Sequence, residues 1–335
     1  IADTAWRVRA TGAYLAYEFE DYFGIGEETL GPLEFPGTPG VRYTRATDYF
    51  DALEENRAGR NWSRYNHYDR RQILFALNVE RDYLGGLLRP LAGFQVSHVD
   101  VRDYTGQIAK GGINQETKLR EDSRTGKITG FAGGWLNLLR VGLTYDSRDY
   151  EPDPTSGILA QFLLEGTMRW LGAGSNFGHV TVGLQGYHRL FPGLTRLVLA
   201  GNVVYSAHVG STPFFALPSL AIPGNERKEG LGGWRTLRGC YGNRFVADTE
   251  MQGSLELRWS LADVTVLAQH LKPMLVPFAD LGRVFDDADR FRLNHWKVTG
   301  GVGLRIAWNL ATVVSFEYGM SSEGGLFYVE VGHQF

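Results

Sequence analysis

The sequence predicts an all-β protein, an antiparallel transmembrane β-barrel with about twelve strands in this chain. Three observations lead there. Apolar and polar residues alternate strictly through many segments, the period of a strand that separates two environments. The connections switch between short turns and long polar loops. The 335 residues include 43 glycines and 13% aromatics, which suits strands and aromatic girdles better than helices. No run of about 18 apolar residues occurs, so membrane-spanning helices are excluded.

Other bulk properties narrow the field. With 34 basic and 37 acidic side chains the net charge is -3, which lacks the basic excess expected of a nucleic-acid binder. The single cysteine, Cys240, excludes an internal disulfide and a cysteine-based metal cluster.

The alternation places strands near 6–22, 71–81, 88–104, 135–149, 158–171, 177–191, 194–209, 247–262, 271–285, 297–309, 311–320 and 325–335. Many are long enough for the roughly 9–11 residues of a tilted membrane strand. In the first, Ala13, Leu15, Tyr17 and Phe19 form the apolar row against Tyr14, Ala16, Glu18 and Glu20. In the fourth, Leu139, Val141, Leu143 and Tyr145 oppose Arg140, Gly142, Thr144 and Asp146. The clearest is 254–261, where Leu255, Leu257, Trp259 and Leu261 alternate with Ser254, Glu256, Arg258 and Ser260. Val302, Leu304, Ile306 and Trp308 oppose Arg305 and small residues, and Val314, Phe316 and Tyr318 oppose Ser315 and Glu317.

Long segments at 23–70, 105–134 and 210–246 contrast with turns such as 173–175 and 191–193. Outer-membrane barrels pair long outer loops with short periplasmic turns in this way. Alternation alone does not say which face is inside, so a soluble barrel or sandwich shares the pattern. Charges on the polar faces suit a hydrated lumen, and Trp135, Tyr145, Trp170, Trp259 and Trp308 near strand ends suit an interfacial belt. The chain ends in an alternating strand with Phe327, Val329, Val331 and a terminal Phe335. That ending resembles the C-terminal targeting signal of bacterial outer-membrane barrels.

Four stretches together resemble the BamA/TamA superfamily of outer-membrane barrels, the bacterial surface-antigen type. They are Asp146, Arg148 and Asp149 followed by Pro152, Pro154 and Gly157; Thr236-Leu237-Arg238-Gly239; Leu255-Glu256-Leu257-Arg258; and 278–285, with Asp280 and Gly282. The resemblance covers roughly residues 130–335. It implies that loop 210–246 folds into the lumen with Arg238 bonded to Asp280 and Glu256. Arginine suits that place because its fork pairs bidentately with a carboxylate. Gly239 would turn the loop tip tightly, and Gly282 would leave room for it. Cys240 stands where the family places an aromatic residue, and Tyr241 follows one position later.

The family barrel has sixteen strands, five of them after the loop. Five follow it here, but seven precede it. Three explanations compete: a twelve-stranded variant, hairpins hidden in the long loops, or four strands upstream of Ile1 or on another chain. The start at Ile1 favours the last, and 1–22 would then carry an unpaired edge. The chain shows no helical pattern of the family's periplasmic repeat domains, so it is expected to be a single barrel domain over 1–335.

Chemistry finds little footing. The eight histidines lack metal-ligand spacing, and no Gly-x-Ser-x-Gly elbow occurs, so no catalytic residue, metal or cofactor is expected. The acidic run 286–289 reads as a solvated turn in preference to a Ca²⁺ site. The aromatic and basic segment 61–71, with Trp62, Tyr65 and Tyr68, reads as a solvated outer loop, with contact to lipopolysaccharide or a partner as the alternative. The resemblance implies an integral protein of the bacterial outer membrane that inserts or moves proteins or lipids there. Its partners would be membrane lipid and lipopolysaccharide, client outer-membrane proteins and a chain completing the barrel. The alternatives are a passive pore or structural barrel, and an anchor for a domain upstream of Ile1.

Overall fold

The computed structural model describes residues 5–193, 196–220, 223, 229–286, 294–309 and 312–335. Twelve strands build one antiparallel sheet: β1 (Trp6–Asp21), β2 (His67–Arg81), β3 (Leu88–Asp103), β4 (Gly133–Asp146), β5 (Gly157–Thr167), β6 (Phe177–Leu190), β7 (Leu197–Gly210), β8 (Thr249–Ser260), β9 (Gln269–Phe285), β10 (Lys297–Trp308), β11 (Thr312–Ser321) and β12 (Gly324–Val331). Each pairs with its neighbours in chain order, and a short strand, Val264–Val266, adds to β9. Among the described residues β1 pairs only with β2 and β12 only with β11, so the sheet has two free edges.

Strand alternation sorts the side chains as a hydrated lumen requires. On β8, Glu256 and Arg258 are buried while Leu255 and Trp259 are exposed. On β10 and β11, Arg305 and Glu317 are buried while Val302, Leu304, Phe316 and Tyr318 are exposed. A surface that is apolar outside and charged inside is the reverse of a soluble barrel.

β1 departs from the expected faces. Tyr17, Leu15 and Thr11 lie opposite Arg70, Gln72 and Ala76, whose side chains are buried on the lumen side. The Ala13-Leu15-Tyr17 row therefore points inward, and Trp6, Val8 and Tyr14 are exposed. A bulge between Tyr17 and Glu20 shifts the register, so Phe19 does not continue that row. Sequence period cannot anticipate such an extra residue.

The long loops gather at one end as a cap. Residues 22–66 contribute α1 (Ala46–Glu54), and 104–132 contribute α2 (Lys118–Arg124), whose start is capped by Thr117 accepting from the Arg120 N–H. Arg60–Asn61, Ile108–Ala109 and Gly112–Asn114 make a separate small sheet. Among the described residues, neither loop hides a hairpin of the main sheet. Segment 61–71 is also not a solvated loop. β2 begins at His67, Tyr65 and Tyr68 are buried, and Trp62 packs against Phe35 and Tyr65. Edge-to-face aromatic packing, as between Phe35 and Tyr49, gives this cap a core of its own. In the acidic turn, Asp286 accepts from the Glu27 N–H at 2.8 Å, while Asp287 and Asp289 lie outside the described residues.

Candidate functional site: a buried arginine on the barrel wall

The connection from β7 to β8 enters the lumen and brings Arg238 against the wall. Its backbone N–H and Nε donate to Asp280 Oδ2 at 3.1 and 2.9 Å, and Nη2 donates to Oδ1 at 2.7 Å. Nη1 donates to Glu256 Oε1 at 2.8 Å and to Glu317 Oε2 at 2.9 Å. The Phe278 ring lies against the guanidinium, 3.4 Å from centroid to Cζ. Arg238, Glu256, Asp280 and Glu317 are all fully buried. Burial alone would pull the arginine's pKa down, but the three carboxylates hold it above its ordinary value.

Two wall arginines complete the network. Arg305 Nε donates to Glu317 Oε1 at 2.7 Å and its Nη1 to Glu256 Oε2 at 2.8 Å. Arg258 Nε donates to Glu256 Oε2 at 2.9 Å. Arg238, Arg258 and Arg305 thus balance Glu256, Asp280 and Glu317. Such neutrality matters where solvation of each ion has been lost. Arg305, Arg258 and Glu317 stand on polar faces in the sequence pattern, but nothing in that pattern marks them as partners of the loop.

Glycine allows the close approach. Gly239 has φ +99°, and a Cβ there would come 2.8 Å from the backbone of Gly319 and Met320 on β11. Its N–H donates to Tyr328 Oη at 2.9 Å, and its carbonyl accepts from Ser321 Oγ at 2.8 Å. At Gly282 a Cβ would meet Leu237 at 3.0 Å, so this position makes room for the leucine beside the arginine. Leu237 and Cys240 pack with Leu231, Phe245, Ala247 and Val284. Burial pushes the Cys240 thiol up to about 11. Tyr241 leaves the wall altogether and packs on Phe50 of the cap, with centroids 4.7 Å apart.

Six residues after Arg238, Arg244 makes a second anchor. Its Nη1 and Nη2 donate to the carbonyls of Thr29 and Gly31 at 2.7 and 3.1 Å, and Nε donates to Glu323 Oε2 at 3.0 Å. Glu323 lies on the β11–β12 turn, and its carbonyl accepts from the Ala46 N–H at 2.8 Å. Arg244 therefore joins the loop after β1 to the hairpin that ends in β12.

At the opposite end, the strand-end motif shapes the β4–β5 turn. Arg148 pairs bidentately with Asp146 at 2.9 and 2.9 Å. Asp149 accepts from the N–H groups of Tyr150, Thr155 and Ser156. Pro154 is buried, and Gly157 opens β5. The turn carries Asp153 to within 2.7 Å of Lys272 Nζ and 3.4 Å of His333 Nε2.

The last residues correct the expected C-terminal strand. Phe327, Val329 and Val331 are exposed on the outer face, but β12 stops at Val331. Gly332, at φ +117°, turns the tail into the lumen, so Phe335 does not continue their row. Its ring lies against Tyr187, and its carbonyl accepts from Arg258 Nη2 at 3.0 Å. Gln334 Nε2 donates to the Thr236 carbonyl at 3.2 Å. His333 Nδ1 lies 2.8 Å from Arg305 Nη1, which has only protons to offer, so the imidazole accepts there.

Comparison with known proteins matches this architecture. A family model described as the Omp85 superfamily domain matches residues 38–335. The crystal structure of BamA from Haemophilus ducreyi lacking POTRA domains 1–3 is similar with a TM-score of 0.54 at 15% identity, covering 79% of this chain and 55% of that one. This chain thus spans about half the length of that crystallised chain. The β domain of the Bordetella autotransporter BrkA aligns over 79% of this chain and 88% of its own at 12% identity, but its TM-score of 0.31 carries no weight. No curated protein matches the sequence. With nearly nine-tenths of its length matched by the family model, the chain belongs to the Omp85 superfamily.

Proposed function

We propose that this barrel assists the insertion or passage of proteins at the outer membrane, through the seam between β1 and β12. The observation that carries the proposal is the pair of free strand edges. Backbone N–H and C=O groups facing hydrocarbon cost several kcal/mol each, roughly, when left unpaired. A strand must therefore satisfy each edge. An incoming client strand can do so by β-augmentation, with its main chain supplying the ladder. A second chain or further strands of the same protein would use the same chemistry.

The loop anchored by Arg238 supports this reading by stiffening the wall of β8, β9 and β11, while its Arg244 ties the β1 and β12 sides only through the cap and a turn and leaves the edge ladders themselves unpaired. A passive pore is less well supported. Both the loop and the tail 332–335 occupy the lumen.

Reconstitution in liposomes tests the proposal. Faster folding of a separately added outer-membrane barrel is the expected result. Flux of small solutes without faster folding would point to the passive pore. An effect on neither would point to an anchor and would sink the proposal.

A further inference from the structure

We propose that a groove on the lipid-facing surface, at the outer ends of β4–β6, binds a membrane lipid whose phosphate headgroup is net anionic, with an acyl chain in the groove and the headgroup at Arg169. The inference rests on the membrane-spanning reading of the strands and is independent of any assembly activity.

The groove encloses about 560 Å³, and its apolar walls include Leu139, Val141, Leu164, Met168, Trp170 and Val209. All six are exposed on the outer face, Trp170 by 72%. Its floor is backbone. Gly166 and Gly178 lie directly opposite each other on β5 and β6, so two adjacent strands present no side chain at one height. Gly166 is not demanded by conformation or by packing. A Cβ there would meet only the Phe177 carbonyl, at an ordinary 3.6 Å. What the glycine preserves is the open space itself.

The turn above is built to stand over that space. Asn137 Nδ2 donates to the Leu171 carbonyl at 2.7 Å, and the Arg169 N–H donates to Asn176 Oδ1 at 2.7 Å. These bonds hold the single helical turn Arg169–Leu171, with Trp170 at the mouth of the groove. Trp135, 52% exposed at the same end of β4, places this height in an interfacial aromatic belt. Arg169 sits between Met168 and Trp170, is exposed, and forms no ion pair among the described residues.

Bilayer hydrocarbon is as apolar as the groove, so the hydrophobic effect does not select its occupant. Selection must come from close packing of a chain against bare backbone and from headgroup charge. An arginine at the membrane surface favours an anionic headgroup about fivefold. The occupant is therefore a lipid with a net anionic phosphate headgroup.

The experiment is native mass spectrometry of the folded protein in detergent, with three lipids of identical acyl chains. Their headgroups are phosphate alone, zwitterionic phosphocholine and an uncharged hydroxyl. The unaltered protein is expected to retain the phosphate lipid about fivefold over the others. Gly166→Leu, which fills the groove, should abolish retention of all three. Arg169→Gln, on an exposed turn, should remove only the headgroup preference. Equal retention of the three lipids, displacement by inorganic phosphate alone, or an Arg169→Gln protein with its preference intact would each overturn the proposal. If Gly166→Leu does not fold, the Arg169→Gln result decides alone. Failure of the membrane reading itself would look different: the unaltered protein would show no heat-modifiable gel mobility in detergent.

Discussion

Arg238 and Arg244 lie on one loop, six residues apart, and are equally buried, yet they hold different things. Arg238 meets carboxylates on three wall strands, all supplied by side chains. Arg244 meets two backbone carbonyls of the first long loop and one carboxylate on the last turn. One ties the loop to the wall, and the other ties the cap across the two ends of the sheet. The lesson is that a buried arginine's role follows from who its acceptors are, since burial and charge are the same for both.

The largest effect should come from Arg238→Ala. It leaves three buried carboxylates facing two arginines, and breaking such a network costs about 3–5 kcal/mol. Thermal unfolding followed by heat-modifiable gel mobility should show it. Arg238→Lys should recover part of the loss, because an ammonium keeps the charge but cannot bond Asp280 bidentately. Full recovery would mean that charge alone holds the loop.

Arg244→Ala should cost less, about 1–3 kcal/mol, the penalty of leaving two buried carbonyls and the rim-side Glu323 carboxylate without their donor. Its signature is local. Limited proteolysis should cut the cap within 22–66 while global unfolding shifts little. If unfolding drops as far as in Arg238→Ala, the two anchors do not differ as described. The double variant sharpens this further. Independent anchors should add within about 0.5 kcal/mol. A larger coupling energy would show that cap and tip move together.

The smallest effect concerns the tail. Burial and the charges of Arg258 and Arg305 hold His333 down at about 4, outweighing its contact with Asp153. The folded state thus prefers the neutral imidazole, consistent with Nδ1 accepting from Arg305. A depressed pKa means the tail's stabilisation is intact above the ordinary value of 6.5 and is lost as pH falls through about 4. Carboxypeptidase should reach the last residues faster across that window. His333→Gln should abolish the pH dependence.

What could be read in the sequence divides along physical lines. The strand period and the BamA/TamA resemblance were legible because alternation is a local property and the matching stretches are local too. Arg238, Asp280 and Glu256 were legible because each sits in a recognisable stretch, and the structure brings all three together. Glu317 and Arg305 were visible as lumen-facing charges. Their convergence depends on how the loop descends and how strand registers align, which no single segment encodes. Arg244 left no trace because any residue can offer a backbone carbonyl. The tail misled because the period of two runs on past Gly332, where the chain turns in. On β1, one bulge was enough to exchange the two faces.

Cys240 gives the molecule a clock. The thiol is buried beside the loop tip, and a thiol held protonated is a poor nucleophile. Alkylation must therefore wait for the loop to leave the wall. With abundant reagent the labelling rate reports how often that happens, and with scarce reagent it reports the fraction of time the loop is away. Adding a client or substituting Arg238 would then be read as a change in either quantity, from one native atom and without an introduced label.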